Sequence, residues 1–119
     1  MASIDECRQA LRELATRLEG NADQVRERVN LDRTLACRIT DLGAAFHGRL
    51  TDGRLVDLAD GDDPKAKIAM NIGSDDLLAL VRGDLDVGRA LAARRLSVSA
   101  SPFDLLKLRK LLWADPLHG

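Results

Sequence analysis

Few residues of this 119-residue chain are spaced as acid–base or nucleophilic chemistry requires. His47 falls on the polar face of a predicted strand, and His118 lies near the C-terminal end. Asp62-Asp63 and Asp75-Asp76 are adjacent pairs, whose carboxylates do not converge on one point as acid–base partners should. We therefore predict no catalytic residue, and an enzyme that uses His47 is kept only as a minor alternative.

Motifs for metal or cofactor binding are missing as well. The sequence contains no glycine-rich phosphate loop, no nucleophile elbow and no zinc-protease helix. Asp60, Asp62 and Asp63 share a predicted turn, which leaves a metal site there as a weak alternative. Cys7 and Cys37 lack zinc spacing and fall on apolar faces, so we expect both to be reduced and buried. The sequence predicts no metal and no cofactor.

Composition narrows the classes of partner. The chain has 18 basic and 19 acidic residues, a net charge of -1, and only 3% aromatic residues. The charges are interspersed, and few aromatic rings are present to stack on bases, so we predict no nucleic-acid partner. No apolar run reaches the length of a membrane span, and no basic-then-apolar leader opens the chain, so we predict a cytoplasmic protein.

The N-terminal half predicts one helix followed by strands. Ser3 to Glu19 carries an apolar stripe and a capping box of Ser3 and Glu6. Residues 22–29 form either a further helical turn or a linker. From Asp32 onward apolar and polar residues alternate, as in a strand with one buried face. Asp52-Gly53 predicts a tight hairpin turn. These patterns predict a four-stranded antiparallel meander, with strands near residues 32–39, 44–50, 55–59 and 65–72.

In the C-terminal half the spacing of apolar residues changes twice between the strand pattern and the helix pattern. Ser74 is placed to cap a helix that stops at Gly83, a short helix follows from Asp86 to Ala92, and a strand begins at Leu96. A leucine-rich helix then runs from Pro102 to Leu112. The order of elements predicts an α+β fold with a five-stranded, mainly antiparallel sheet covered on one face by helices.

Alternation also predicts which side chains face the helices, and a slip of one residue would exchange the two faces. The side chains predicted to point away from the helices are those of Lys67, Asn71, Ser97 and Ser99. The side chains predicted to face the helices are those of Ile68, Met70, Ile72, Leu96 and Val98.

In the C-terminal helices, apolar residues cover a wider part of the helix surface than packing against one neighbouring element requires. They could form ordinary core under the sheet, or they could enclose a cavity that takes a lipid chain. Periodicity leaves both interpretations open.

The residues in this order resemble the sterol carrier protein 2 family. The resemblance covers residues 33–112, and the N-terminal helix fits it. The segments that carry it are Ile68-Ala-Met-Asn-Ile72, Ser74-Asp-Asp-Leu-Leu to Gly83, Asp84-Leu-Asp86, Ala90-Leu91, Leu96-Ser-Val98 and Leu105 to Leu112.

The resemblance implies a sterol-carrier-like sheet and helices around an apolar tunnel. Members of the family bind sterols, fatty acids, acyl-CoA or other lipids, alone or as modules of larger enzymes. Glycines usual beside the fifth strand are replaced by Ala93-Arg94-Arg95 and by Ser99-Ala100. Arg94 and Arg95 could offer charge to a lipid head group or could lie in a solvated turn.

The resemblance thus implies one sterol-carrier-like domain over residues 1–119, with a helical segment at 1–30, the sheet and covering helices at 31–112, and a tail at 113–119. We expect the protein to bind a lipid such as a fatty acid, a sterol or acyl-CoA without catalysing a reaction. Transfer of the bound lipid is an additional function that this interpretation allows. The alternative is a ligand-free module that dimerises or packs its helical face on a partner enzyme. Weak contact with a membrane is left open.

The expected binding site is an apolar cavity of roughly 300–1,000 Å³ between the sheet and the helices at 74–82 and 102–113. Trp113 would report binding by fluorescence if the final helix acts as a lid. The expected ligand-binding residues are Phe46, Ile68, Met70, Leu77, Leu80, Val98, Phe103, Leu106 and Trp113.

Overall fold

The structure, a computed structural model, describes residues 1–28 and 31–112. Trp113, His118 and the rest of the predicted tail lie outside the described residues. None of the helices within the described ranges is long and apolar enough to cross a membrane. In chain order the elements are α1 (Ile4–Gly20), α2 (Ala22–Arg28), β1 (Asp32–Ile39), β2 (Ala44–Thr51), β3 (Arg54–Asp60), β4 (Ile68–Ile72), α3 (Ser74–Arg82), α4 (Val87–Ala92), β5 (Leu96–Ser99) and α5 (Pro102–Leu112).

The five strands form one mixed sheet in the order β3-β2-β1-β4-β5. The pairs β1–β2, β2–β3 and β4–β5 are antiparallel, and β1–β4 is parallel. The predicted four-stranded meander is therefore wrong at its last step, because β4 pairs with β1 and not with β3. Residues 61–67 carry the chain from one edge of the meander to the other. Alternation fixes the face of a strand but not its neighbour, so the sequence pattern could not show this step.

The register confirms the predicted faces of β4 and β5. β1 and β4 align Leu35 with Ile68, and β4 and β5 align Met70 with Val98. The helix-facing side chains of Ile68, Ile72 and Leu96 are buried, and those of Lys67, Ser97 and Ser99 are exposed. On the outer face the Asn71 amide donates to Ser97 Oγ at 3.2 Å.

Helix α1 begins as predicted. The Glu6 N–H donates to Ser3 Oγ and the Ser3 N–H donates to Glu6 Oε1, each at 3.1 Å, which completes a capping box. Helix α3 differs, because its N-cap is Gly73 and has no side-chain cap. The buried Ser74 hydroxyl instead donates to Asp41 Oδ2 at 2.6 Å.

The hairpin at Asp52-Gly53 is confirmed, and its tip has a structural partner. Both residues have positive φ, 53° and 73°, as the turn chemistry requires. A Cβ on Gly53 would lie 2.4 Å from the Ala22 carbonyl oxygen. Only glycine therefore fits at position 53, where the β2–β3 hairpin packs against α2. The α2 segment, which the sequence predicted as either a helical turn or a linker, is a helix.

Cys7 and Cys37 are buried free thiols, as predicted. Burial raises the pKa of the Cys37 thiol to about 12, and burial likewise raises the pKa of Cys7, with Asp41 adding to the effect. Both cysteines therefore pack as small apolar residues between α1 and the sheet.

The turn before β5 keeps a left-handed residue although no glycine occupies it. Arg94 has φ of 59°. The Arg95 N–H donates to the Ala90 carbonyl at 2.9 Å, and the Arg94 N–H donates to the Leu91 carbonyl at 3.2 Å. This pair of bonds is the Schellman ending of a helix, so the departure from the family pattern leaves the turn itself intact.

Candidate functional site

A cavity of about 90 Å³ lies between the helix-facing side of the sheet and helices α1, α3 and α5. Every strand and three helices contribute to its wall, because the inward positions of the strands converge under those helices. Ten of the described residues line it, and all are aliphatic or methionine: Leu14, Leu18, Leu35, Leu50, Leu55, Ile68, Met70, Leu80, Val98 and Leu108.

Each element presents its wall residues for a simple geometric reason. In the strands, successive side chains alternate between the two faces, so Ile68 and Met70 both point under the helices. In α1, Leu14 and Leu18 are four residues apart and share one side of the helix. In α5, Leu108 follows the buried Asp104 by the same spacing and is the leucine that reaches the core.

The described part of the wall can hold an apolar guest through burial of apolar surface alone. Burial of apolar surface contributes about 25 cal/mol per Å², whereas a polar group left without a partner costs free energy. The ten wall side chains include no hydroxyl, amide or charged group. A lipid chain suits this surface, and a polar head group must lie outside it.

The structure brings four of the nine predicted site residues together in the wall: Ile68, Met70, Leu80 and Val98. Phe46 and Leu77 are buried in the neighbouring core cluster. Phe103 and Leu106 lie on the outer face of α5, 79% and 62% exposed, so they do not line the cavity. The reason is that α5 turns Asp104 and Leu108 inward, which directs Phe103 and Leu106 to solvent. Trp113 lies outside the described residues.

Six wall residues were missing from the sequence-based prediction. Leu14 and Leu18 are on the predicted apolar stripe of α1, and Leu108 is on that of α5, so the signal was present but was interpreted as ordinary core. The other three belong to strands β1 to β3, where alternation gives the face and no indication of the cavity. They are Leu35, Leu50 and Leu55.

The cavity is much smaller than the roughly 300–1,000 Å³ expected of a ligand pocket. An engineered apolar cavity of about 150 Å³ holds a molecule as small as benzene, so the present cavity has room for only part of an acyl chain. The described residues do not show the continuous apolar tunnel that the resemblance implied. The long side chains of the wall fill the space between sheet and helices, as close packing of protein interiors favours.

A polar groove lies at the end of the sheet where β1 and β4 begin. Two ion pairs cross it. Arg33 Nε donates to Asp104 Oδ2 at 3.0 Å, and Arg49 donates from Nε and Nη2 to the two oxygens of Asp32 at 2.6 and 2.8 Å. The residues that line the groove are Asp32, Arg33, Thr34, Arg49, Lys67, Ser101 and Asp104.

Three of the residues weighed for catalysis or metal binding, His47, Asp60 and Asp62, have structural partners. His47 Nδ1 lies 2.9 Å from the Gly61 carbonyl oxygen. Asp60 pairs with Arg8, and Asp62 pairs with Arg38 at 3.0 Å. Within residues 1–28 and 31–112, no three histidine, cysteine or acidic side chains come together as metal ligands would.

The mixed five-stranded sheet and its helices match the fold of solved sterol carrier domains. The sequence matches the SCP-2 sterol transfer family over residues 8–112. The chain therefore belongs to this family. No curated protein sequence matches the chain.

Solved structures share the fold. The sterol carrier protein domain 2 of Helicoverpa armigera superposes with a TM-score of 0.73 at 14% identity, covering 90% of this chain and 85% of that one. The sterol carrier protein-2 of Aedes aegypti, in complex with palmitate, gives 0.66 at 21% identity, covering 95% and 97%. The inverting sec-alkylsulfatase of a Pseudomonas species gives 0.62 at 23% identity, covering 83% of this chain. The chain spans only 14% of that sulfatase, so there the fold is one part of a large enzyme.

Proposed function

We propose that this protein binds the apolar part of a lipid or another hydrophobic small molecule in the cavity between the sheet and helices α1, α3 and α5, and catalyses no reaction on it. The observation that carries the proposal is the wall of ten apolar side chains. Membership of the sterol transfer family and the fold shared with a palmitate complex support it. Transfer between membranes and residence in the cytoplasm remain predictions.

Entry of a full acyl chain requires the cavity to widen, and α5 is the element best suited to move. Between residues 102 and 109 only Asp104 and Leu108 are buried. A helix with so little buried surface opens at a low cost in free energy compared with the core. We propose that α5 shifts outward as the chain of the lipid slides between Leu108 and the sheet.

The test is to measure the affinity of palmitate for wild type and two tryptophan variants. Leu80→Trp places an indole in the cavity, whereas Leu106→Trp makes the same change on the exposed face of α5 and is the matched control. We expect Leu80→Trp to weaken palmitate binding at least about 10-fold, and Leu106→Trp to bind as wild type does. Saturating palmitate should raise the melting temperature of wild type and of the control by mass action.

The folding of Leu80→Trp is checked separately, since overpacking a core costs about 1–3 kcal/mol. Its circular dichroism spectrum should match wild type at a temperature below both melting transitions. Equal palmitate affinity in both tryptophan variants would show that the ligand does not use this cavity. Absence of palmitate binding to the wild type, with no thermal shift from sterols or acyl-CoA, would reject the carrier function.

A second candidate function is an interaction module, and the exposed face of α5 favours it. Phe103 and Leu106 lie three residues apart and are largely exposed, as expected of a surface that packs on a second copy, a partner enzyme or a membrane. Light scattering at rising concentration would reveal a dimer that Phe103→Gln should weaken. A monomer at all concentrations that binds palmitate would favour the carrier.

A further inference from the structure

We propose that the ion pair between Arg33 and Asp104 is a latch, which holds α5 closed over the empty cavity and opposes the entry of a long guest. The inference rests on the proposed function, because the latch controls the opening through which a lipid chain would enter. It adds an autoinhibitory contact to a cavity whose described wall is apolar.

Arg33 is a charged residue on the side of the sheet that faces the helices. It pairs in register with Leu50 of β2 and lies two residues before Leu35, and both leucines line the cavity. Paired residues of neighbouring strands, and residues two apart in one strand, share a face of the sheet. Arg33 therefore borders the cavity wall, at a position where a strand with one buried face would normally carry an apolar residue.

The partner of Arg33 is a buried carboxylate in the first turn of α5. Arg33 Nε donates to Asp104 Oδ2 at 3.0 Å. The side chain of Asp104 is only 5% exposed, whereas that of Arg33 is 42% exposed. A buried carboxylate is costly in free energy unless a cation pairs with it. Asp104 can therefore stay under α5 at a low cost only while Arg33 is within reach, and this requirement ties the start of α5 to β1.

The ion pair and the cavity are coupled through α5. Between residues 102 and 109 the other buried side chain is that of Leu108, which lines the cavity four residues after Asp104 on the same side of the helix. The closed cavity of about 90 Å³ holds only part of an acyl chain, so a long guest must displace Leu108 from the sheet. That movement also carries Asp104 away from Arg33. The free energy of the ion pair is therefore subtracted from the free energy of binding.

A latch and a purely structural ion pair predict opposite effects on binding. Arg33→Gln leaves the Asp104 carboxylate without a cation in the closed form, which favours the open form. The variant should be less stable than wild type in urea, yet it should bind a long guest about 5-fold more tightly, the size expected of a half-exposed ion pair. If the ion pair only supported the shape of the cavity, its loss would lower stability and weaken binding together.

The test measures the affinity for 1-dodecanol by titration calorimetry. This probe is too long for the closed cavity and carries no charge, so a change of affinity does not report a charge–charge contact with its head group. Asp104→Asn, which removes the charge on α5, should also bind 1-dodecanol more tightly than wild type. Asp32→Asn is the matched control, since it breaks the ion pair with Arg49 on the opposite face of the sheet from Arg33. It should bind as wild type does.

Native-state hydrogen exchange without ligand gives a second readout. The amides of residues 106–109 should exchange about 5-fold faster in Arg33→Gln and Asp104→Asn than in wild type, and at the wild-type rate in Asp32→Asn. Equal or weaker 1-dodecanol binding in both latch variants, or wild-type exchange of α5 in both, would overturn the latch while leaving the carrier function in place. A gain of affinity in Asp32→Asn as large as theirs would overturn it too. If wild type and all variants bind neither 1-dodecanol nor palmitate, the proposed function fails and the latch fails with it.

Discussion

Ser74 joins three separate parts of the chain through hydrogen bonds. Its hydroxyl accepts from the Ala2 N–H at 3.0 Å and donates to Asp41, and its own N–H donates to the other oxygen of Asp41 at 2.9 Å. The chain start, the β1–β2 connection and the first turn of α3 therefore meet at one buried side chain. The two bonds from Ser74 to the ionised carboxylate hold the pKa of Asp41 below its ordinary value of 3.8.

This depressed pKa predicts a loss of stability in acid. Because the folded pKa is lower than the unfolded pKa, ionised Asp41 stabilises the fold above pH 3.8, and the contribution is lost as pH falls through the folded pKa. Asp41→Asn should be less stable than wild type at neutral pH, and the gap should close below the folded pKa. Urea denaturation from pH 7 to pH 2 measures this difference.

The control for Asp41→Asn is Asp84→Asn, which changes an exposed carboxylate just after α3. Its free energy of unfolding should run parallel to wild type through the acid range. Asp32 and Asp60 also have lowered pKa values, because Arg49 and Arg8 donate to them, so wild type itself loses stability in acid from several sites. A gap between wild type and Asp41→Asn that stays constant with pH would contradict the role given to the Ser74 bonds.

Arg94 is a residue whose replacement should stabilise the protein. A left-handed conformation costs a residue with a Cβ roughly 1–2 kcal/mol, and glycine avoids that cost but loses more entropy on folding. We expect Arg94→Gly to raise the free energy of unfolding by about 1 kcal/mol. The neighbouring Ala93 has φ of -83°, so Ala93→Gly should instead destabilise. Chemical denaturation measures the free energy of unfolding of both variants. A less stable Arg94→Gly would show that the Arg94 side chain stabilises the fold by more than its left-handed backbone conformation destabilises it.

Helices α1 and α5 differ in how firmly they are held. Along α1, Cys7, Ala10, Leu11 and Leu18 are buried, whereas α5 between residues 102 and 109 buries only Asp104 and Leu108. The proposed entry route depends on this difference, because the element that yields to an incoming chain should be the one with the least buried surface.

Native-state hydrogen exchange should show the same difference. We expect the amides of residues 106–109 to exchange by local opening faster than those of residues 10–18, since few buried side chains hold α5. Leu108→Ala should speed exchange in α5 further and leave α1 unchanged. Saturation with palmitate should slow exchange in α5. Equal protection of α1 and α5 in wild type would rule out α5 as the element that opens.

At the level of elements, the sequence predicted nearly all helices and strands and the face that β4 and β5 turn to the helices. Local signals carry these features: the capping box at Ser3, the alternation in β4, the glycine turn at Gly53. The neighbour of β4 could not be predicted this way, because Ile68 and Ile72 would be buried by any partner strand on the same face. The placement of Ser74 was missed for a related reason, since its partners Asp41 and Ala2 are distant in sequence.

For the molecule as a whole, four of the nine residues predicted for the site lie in the cavity wall, and the site itself stays a prediction. Ile68, Met70, Leu80 and Val98 lie where strands and α3 meet, and their faces follow from alternation and helical period. The inward side of α5 did not follow, because its leucines occupy nearly every side of the helix. Only packing decides that Leu108 turns inward and Leu106 outward. The volume of the cavity is likewise a property of the packed molecule.

The whole molecule combines an apolar interior with a charged end. Among the described residues the cavity wall is made of apolar side chains, whereas the groove at the end of the sheet holds the charges of Asp32, Arg33, Arg49, Lys67 and Asp104.

The most direct test of the central claim is to locate bound palmitate by NMR. Protein with ¹³C-labelled methyl groups would be saturated with palmitate, and intermolecular nuclear Overhauser effects would be recorded between the chain of the fatty acid and the protein. We predict contacts to the methyl groups of Met70, Leu80 and Val98, which line the cavity between sheet and helices. Contacts confined to Leu105 and Leu106 on the exposed face of α5, or none at all, would contradict the account.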